Sequence, residues 1–258
     1  MELKLVSKTA LVTGASQGIG LAIVQALAAE GVRVAACART TSAELLKATP
    51  LTKRADLTVP AQAAEVVDWA LTELGGIDLL VNNVGGSPAR TEGFLAIRDD
   101  EWQHAFELNF FSAVRTTRAA LPSLLARRGS IINIGSVNSH LALPRLIDYS
   151  AAKAALASFG KALSEEVGKT VRVNTISPGP TRTAVWTSND GMASGLSKAA
   201  GIKHEEFVEQ VPAMTGMSTG RFVEPAEVAA LVLLLVSGQV PGMNGADLVL
   251  DGGMLKQI

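Results

Sequence analysis

Short apolar runs rich in β-branched residues alternate along this chain with helix-length stretches dominated by alanine and leucine, and that alternation restricts the fold more than any single motif. The runs are Thr9 to Thr13, Val32 to Cys37, Asp78 to Asn82, Ser130 to Ile134, Val171 to Ile176 and Asp247 to Leu250. Each reads as a buried strand. A further short strand near Thr52 to Ala55 would bring the count to seven. Between them lie Gly18 to Glu30, Pro60 to Leu74, Asp100 to Arg127, Tyr149 to Val167 and Pro225 to Ser237, each long enough for a helix. Parallel neighbours cannot be joined by a tight hairpin and need a crossover, which a helix supplies. The pattern therefore predicts an α/β fold, a three-layer doubly wound parallel sheet of about seven strands with helices on both faces.

A chain of 258 residues suits one domain, taken here as 1–258. One segment breaks the alternation. Pro178 to Glu224 (178–224) has weak periodicity and many Gly, Ser, Thr and Met residues. A stretch that long without regular structure is usually functional. Following the sixth strand, it falls at the carboxyl edge of the sheet, where open α/β folds bind ligands. It is expected to be a lid over the substrate, with short helices such as Lys203 to Gln210.

Charge removes several classes of partner. With 23 basic and 24 acidic side chains the net charge is −1, which leaves no electrostatic footprint for nucleic acid or an anionic membrane. The longest apolar run, Val228 to Val236, has nine residues, against about 20 needed to cross a bilayer. A strand signal begins within ten residues of Met1, which leaves no space for a secretory leader, so a cytoplasmic location is expected. Cys37 is the single cysteine and reads as a small buried hydrophobe.

Two motifs carry chemistry. Thr13-Gly14-Ala15-Ser16-Gln17-Gly18-Ile19-Gly20 follows the first strand and opens the first helix. Glycines there let the backbone turn sharply and let phosphates approach helix N–H groups, although a plain strand-to-helix turn would use the same residues. Tyr149 and Lys153 stand four apart in a helix-favouring stretch. At that spacing two side chains share a helix face with Cβ atoms roughly 5–6 Å apart. A cation beside a phenol favours phenolate and lowers its pKa, giving an acid/base suited to a carbonyl or an alcohol. Taken alone, the pair is equally an amphipathic helix face.

The glycine turn, Asn82-Asn83-Val84-Gly85 after the fourth strand, Asn109, Ser136, Tyr149 with Lys153, and Pro178-Gly179 together resemble the short-chain dehydrogenase/reductase family, in its single-domain, 3-oxoacyl reductase-like branch. The resemblance spans nearly the whole chain and implies a Rossmann-type, NADP(H)- or NAD(H)-dependent oxidoreductase. It makes Tyr149 the general acid/base and Lys153 the residue that lowers the tyrosine pKa and holds the nicotinamide ribose. Ser136 would orient the reacting oxygen, and Asn109 would bend its helix and anchor a water leading to the lysine. Hydride transfer from the pro-S side is implied as well.

The cofactor contacts implied are Gly14, Ser16, Gln17, Gly18, Ile19 and Gly20 at the turn, Asn83, Val84 and Gly85 near the adenosine, and Pro178, Gly179, Thr181 and Thr183 at the carboxamide. Asp56 and Leu57 match the family's adenine contact, although Asp56 equally suits a loop cap. At the end of the second strand Ala38 stands where NAD-preferring relatives carry aspartate, and Arg39 offers a fork suited to a 2′-phosphate. NADP(H) is expected, on Arg39 alone, because Gln17 is uncharged.

Candidate substrate-lining residues are Ser87, Pro88, Ser139, His140, Leu143, Trp186, Met192, Met214 and Met217, most of them apolar or adaptable. They point to a fairly hydrophobic ketone or alcohol, with a 3-oxoacyl thioester as the alternative and a non-catalytic NADP-binding sensor or scaffold as the rival of another class. The three histidines lack metal-ligand spacing, so no metal is expected. The helix from Pro225 to Ser237 is apolar on every side. Either a second subunit or the chain's own C-terminal tail must cover it. The resemblance favours a homotetramer, or a dimer.

Overall fold

The computed structural model describes residues 3–88 and 90–256. The elements run β1 (Thr9–Thr13), α1 (Gly18–Ala29), β2 (Arg33–Ala38), α2 (Ala43–Ala48), β3 (Thr52–Arg54), α3 (Pro60–Leu74), β4 (Leu79–Asn82), α4 (Asp99–Phe106), α5 (Ser112–Arg127), β5 (Ser130–Ile134), α6 (Ile147–Val167), β6 (Arg172–Pro178), α7 (Ala184–Thr187), α8 (Met192–Ala200), α9 (His204–Met214), α10 (Pro225–Val236) and β7 (Asp247–Leu250). The seven strands form one sheet in the order β3-β2-β1-β4-β5-β6-β7, and every pairing is parallel. This is the doubly wound, Rossmann-type architecture expected from the alternation.

Alternating strand side chains feed two apolar layers. Ala10 and Val12 of β1 join a cluster with Ile23, Val24 and Leu27 of α1 and Val228, Val232 and Leu235 of α10, whereas Leu11 joins one with Val66, Val67 and Ala70 of α3. Strand geometry sends successive side chains to opposite faces, so β1 is buried on both. Each fully buried Ile, Val or Leu adds roughly 1.5–3 kcal/mol.

Three departures from the sequence expectation have local causes. Helix α2 is six residues long, too short for a periodic signal, and is started by Ser42, whose hydroxyl accepts the Leu45 N–H at 3.2 Å. The single helix expected from Asp100 to Arg127 is instead α4 and α5 joined by a π turn at Glu107–Phe111. There the Asn109 amide donates to the Ala105 carbonyl at 2.9 Å, the acceptor that a continuous α-helix would offer to the Asn109 N–H. The excursion after β6 holds three helices, and α9 (His204–Met214) replaces the shorter Lys203 to Gln210.

That excursion has an apolar cluster of its own. Ala193, Phe207, Val208, Val211 and Phe222 are buried together, and Trp186 packs on Phe222 with ring centroids 5.9 Å apart. Its two ends are stapled near the sheet, where Arg182 N–H donates to the Val223 carbonyl and Val223 N–H to that of Pro180. Helix α10 buries Val228, Ala229, Val232 and Leu235, while Ala230 on its other side is exposed, as is Val249 on the edge strand β7.

Replacing Phe222 with Ala should remove the centre of the small cluster at about 3–5 kcal/mol. Limited proteolysis followed by mass spectrometry should then find first cuts within 184–222 while the sheet stays resistant; simultaneous digestion of both regions would mean that the cluster does not unfold separately.

Candidate active site

The chain leaves β1 toward β2 on one side and β4 lies on the other, so a crevice opens beyond the carboxyl ends of these strands. The glycine turn fills it. Gly14 and Gly18 have φ of +64° and +56°, a region that L side chains enter only with strain. A Cβ on Gly20 would lie 2.4 Å from the Gly14 carbonyl oxygen and 2.5 Å from Asn83 Nδ2. Asn83 secures the turn from the neighbouring strand, donating through Nδ2 to the carbonyls of Thr13 at 3.1 Å and Gly14 at 2.9 Å. The Gln17 side chain makes no capping bond, so the first N–H groups of α1 are available to an anion.

From this turn a cavity of about 1130 Å³ extends to the start of α6. Gly14, Ser16, Gln17, Gly18 and Ile19 line it at the turn, and Arg39, Asp56 and Leu57 line the end beyond β2 and β3. Asn83, Val84 and Gly85 follow β4, while Pro178, Gly179, Thr181 and Thr183 follow β6. Ser136, Tyr149 and Lys153 complete the wall. Gly20 and Asn109 do not reach the cavity; Gly20 admits the close packing just described, and Asn109 acts on the loop after β4. The phosphate-facing N–H groups and the length of the cavity fit a nicotinamide dinucleotide.

Asp56 caps its loop and also lines the cavity. Its Oδ1 accepts the Thr58 N–H at 3.0 Å and hydroxyl at 2.8 Å. Burial works against its charge, but the Thr58 hydrogen bonds, with Arg39 and His104 nearby, hold its pKa below the ordinary carboxylate value. The Arg39 backbone carbonyl accepts from Arg54 Nε at 3.2 Å, which ties the end of β2 to β3; Arg54 itself does not line the cavity.

Lys153 is buried, and its Nζ donates to the Ile134 carbonyl at the end of β5 at 2.8 Å. The ammonium stands 5.8 Å from the centre of the Tyr149 ring. Burial depresses the lysine to about 8. Burial also raises the Tyr149 phenol above its ordinary value, against a smaller lowering by its hydrogen bond with Ser136. The expected lowering of the tyrosine by the lysine is therefore not what these side chains produce on their own, because desolvation outweighs a cation some distance from the phenol oxygen. Asn109 Nδ2 donates to the Gly86 carbonyl and its Oδ1 accepts the Gly86 N–H, both at 2.9 Å. At Gly85 a Cβ would sit 2.9 Å from Asn109 Oδ1 and 3.0 Å from Lys153 Nζ.

The substrate end differs from expectation. Ser87, Pro88, Leu143, Trp186 and Met192 line the cavity, joined by Met254 and Thr215, which sequence reasoning missed. Ser139, His140, Met214 and Met217 do not. Ser139 turns its hydroxyl back to the Ser136 carbonyl at 2.6 Å, and His140 Nε2 pairs with Asp247 at 2.8 Å on the outer surface. Met217 is buried in the main core, and Met214 is exposed.

A family model for short chain dehydrogenases matches residues 8–193. The chain belongs to the short-chain dehydrogenase family. An uncharacterised oxidoreductase of Bacillus subtilis is 35% identical, with both chains fully covered. A 3-oxoacyl-(acyl-carrier-protein) reductase of Salmonella typhimurium is 34% identical over 96% of this chain and 97% of its own. Among solved structures, L-sorbose reductase of Gluconobacter frateurii, complexed with NADPH and L-sorbose, superposes with a TM-score of 0.89 at 32% identity over the whole of both chains. This short-chain dehydrogenase is thus an oxidoreductase of the CH–OH/C=O couple with a nicotinamide cofactor. Among its described residues no helix is long and apolar enough to cross a membrane.

A lysine at about 8 in the folded chain and near 10.5 unfolded is a destabilising element at neutral pH. Its cost, about 3 kcal/mol, fades as pH rises from 8 toward 10, because there the unfolded chain binds the extra proton. Above 10 the raised Tyr149 acts in the opposite sense. Lys153→Met should therefore raise the denaturation midpoint at pH 7, with a smaller gain at pH 9.5, in urea titrations of both proteins. A loss of stability at pH 7 would contradict this account of the buried ammonium.

Proposed function

We propose that the protein reduces the carbonyl group of a fairly apolar ketone with NADPH, and oxidises the alcohol in reverse. The observation that carries this reading is the meeting of Tyr149, Ser136 and Lys153 on the wall of the cavity that begins at the glycine turn. Bound NADPH supplies the hydride to the carbonyl carbon. Tyr149, kept protonated by burial, donates its phenolic proton to the oxygen, and the Ser136 hydroxyl holds that oxygen in place. Lys153 has one N–H on the Ile134 carbonyl and two left for the ribose hydroxyls. Asn109 fixes the loop at Gly86 that borders them.

The residues that would hold the cofactor are those of the glycine turn for the pyrophosphate, Asp56, Leu57, Asn83, Val84 and Gly85 for the adenosine, and Pro178, Gly179, Thr181 and Thr183 for the carboxamide. Arg39 on the cavity wall, with no carboxylate at Ala38, supports a 2′-phosphate and hence NADP(H). The reductase solved with NADPH supports the same choice. Leu143, Leu146, Val185, Trp186, Met192 and Met254 give the substrate end its apolar character. Arg90 is the cation there, and two carboxylates already occupy it. A 3-oxoacyl thioester is the second reading, favoured by the similarity to the Salmonella reductase. The excursion 178–224 serves as the substrate lid. Pairing of α10 and β7 across a homotetramer or dimer would cover Ala230 and Val249.

Steady-state assays over ketones, diketones and 3-oxoacyl thioesters should show kcat/KM with NADPH at least about tenfold above NADH. In the same assays Tyr149→Phe should lower kcat by about 10²–10⁴ with NADPH affinity retained. Equal efficiency with both cofactors would remove the NADP assignment, full activity of the Phe variant would remove Tyr149 as the acid, and tight NADPH binding without turnover of any carbonyl would favour a sensor. Light scattering at micromolar concentration should give two or four protomers; a monomer would remove the assembly.

A further inference from the structure

One cluster of charges lies outside the four residues discussed above and runs directly into them. Asp148, the residue before Tyr149, is completely buried. Its Oδ2 receives Arg90 Nη2 at 2.6 Å and Nε at 3.1 Å, while its Oδ1 accepts the Tyr149 N–H at 2.9 Å. The remaining arm of Arg90 reaches Glu101 Oε1 at 2.6 Å. Glu101 also caps the start of α4 by accepting the Arg98 N–H at 3.0 Å, and the Arg98 side chain pairs outward with Asp100 at 3.0 Å. The Arg90 backbone joins in, donating its N–H to the Arg145 carbonyl just before α6. The five charges alternate in sign from exposed Asp100 to Asp148.

This geometry ties three pieces of chain together at the cavity: the loop after β4, the first turn of α4 and the first turn of α6. Both parts of the proton machinery hang from it. Tyr149 sits in the α6 turn that Asp148 grips, and Asn109 follows α4 by one π turn. A bidentate guanidinium with two carboxylates has little rotational freedom, and the hydrogen bonds with both acids raise its own pKa, so the clamp holds its charge through the working range.

We infer that Arg90 is a positioning residue of the proton-transfer site, holding the α6 turn of Tyr149 against the loop after β4 and neutralising the buried Asp148 carboxylate in that turn. The inference rests on Tyr149 being the acid proposed above. Arg90 need not touch substrate. Around Tyr149, Lys153 Nζ stands 5.8 Å from the ring centre, Asp148 binds the Tyr149 backbone N–H, and Arg90 from the loop after β4, with Glu101 of α4 behind it, pairs with Asp148; Ser136 beyond β5 is uncharged.

Tyr149 is the single tyrosine of the chain, so its ionisation can be followed directly by phenolate absorbance, with or without turnover. In Arg90→Gln the neighbouring carboxylate loses its cation, and the phenol midpoint should rise by about one pH unit. Asp148→Asn leaves a cation without that carboxylate, and the midpoint should fall. The double variant should return to within about 0.3 units of wild type, and Arg90→Lys should lie between wild type and Arg90→Gln. In carbonyl reduction Arg90→Gln should lose about tenfold in kcat with KM for NADPH within about twofold.

A merely structural residue predicts lower melting temperatures with the phenol midpoint unmoved, or moved in the same direction by both single variants, and either result overturns the inference. Should Arg90→Gln not fold, Arg90→Lys and Asp148→Asn decide the matter by the sign of their shifts. If wild type reduces no carbonyl, the reading of Tyr149 as an acid falls, while the titration still decides whether Arg90 sets the phenol's environment.

Discussion

Parallel pairing of β1, β4, β5 and β6 is the constraint on which the site depends. Because these strands point the same way, their carboxyl ends emerge at one edge, and each delivers a different part of the chemistry there. β1 ends at Thr13 and feeds the glycine turn, β4 leads into Asn83, which holds that turn, β5 ends at Ile134, whose carbonyl receives Lys153, and β6 ends at Pro178. Register is therefore a functional quantity. A slip of one residue at β4 would turn buried Leu80 and Val81 to the opposite layers and carry Asn83 away from the Gly14 carbonyl, so the core and the site select the same pairing.

Burial then sets the electrostatics. It pushes the Tyr149 phenol up and the Lys153 ammonium down, so both groups lean toward their neutral forms. A phenol that keeps its proton is suited to giving it to a developing alkoxide, and an ammonium near 8 releases and recaptures protons close to neutrality. Neither property needs a special residue. Each follows from placing α6 over the end of β5, where the Ile134 carbonyl gives the lysine a partner that carries no charge. The interaction that stabilises the lysine in place is thus too weak to hold its pKa at the value it has in water.

Elements with a periodic signal were legible in the sequence. All seven strands stand within two residues of the stretches expected for them; the central ones were announced by continuously apolar runs because they are buried on both faces, whereas β3 and β7 are only partly buried at the sheet edges. The glycine turn and the pairing of Tyr149 with Lys153 stood out by local spacing, and the resemblance gave that spacing its meaning and added Ser136, which by itself reads as a strand-end cap. What was not legible depends on partners distant in sequence. Met254 and Thr215 reach the cavity wall only through the fold, and Arg90 meets its partner Asp148 across 58 residues. The resemblance marked Asn109 as the residue that bends its helix, but the residues alone did not, because Asn109 reads as an ordinary polar residue within a helix until its amide is seen on the Ala105 carbonyl. Met214 and Met217 were assigned to the cavity on residue type alone, and only packing separates a methionine of the core from one of a pocket.

The excursion after β6 explains why the reaction is easier to read than its substrate. Its apolar residues answer to two demands at once. Trp186 packs on Phe222 in the small cluster and also lines the cavity, while Phe207 and Val211 serve the cluster alone. A residue shared in this way makes the shape of the substrate wall depend on the packing of α8 and α9 behind it. The main core shares in that wall through Met254 and Leu143, but the cluster of Phe222 behind Trp186 is separate from the two layers that flank the sheet. Substitutions behind Trp186 can therefore reshape the pocket without disturbing the strands that hold Tyr149, Lys153 and the glycine turn. Strand register positions Tyr149, Lys153 and the glycine turn, and the excursion's own packing shapes the part of the cavity wall that Trp186 forms.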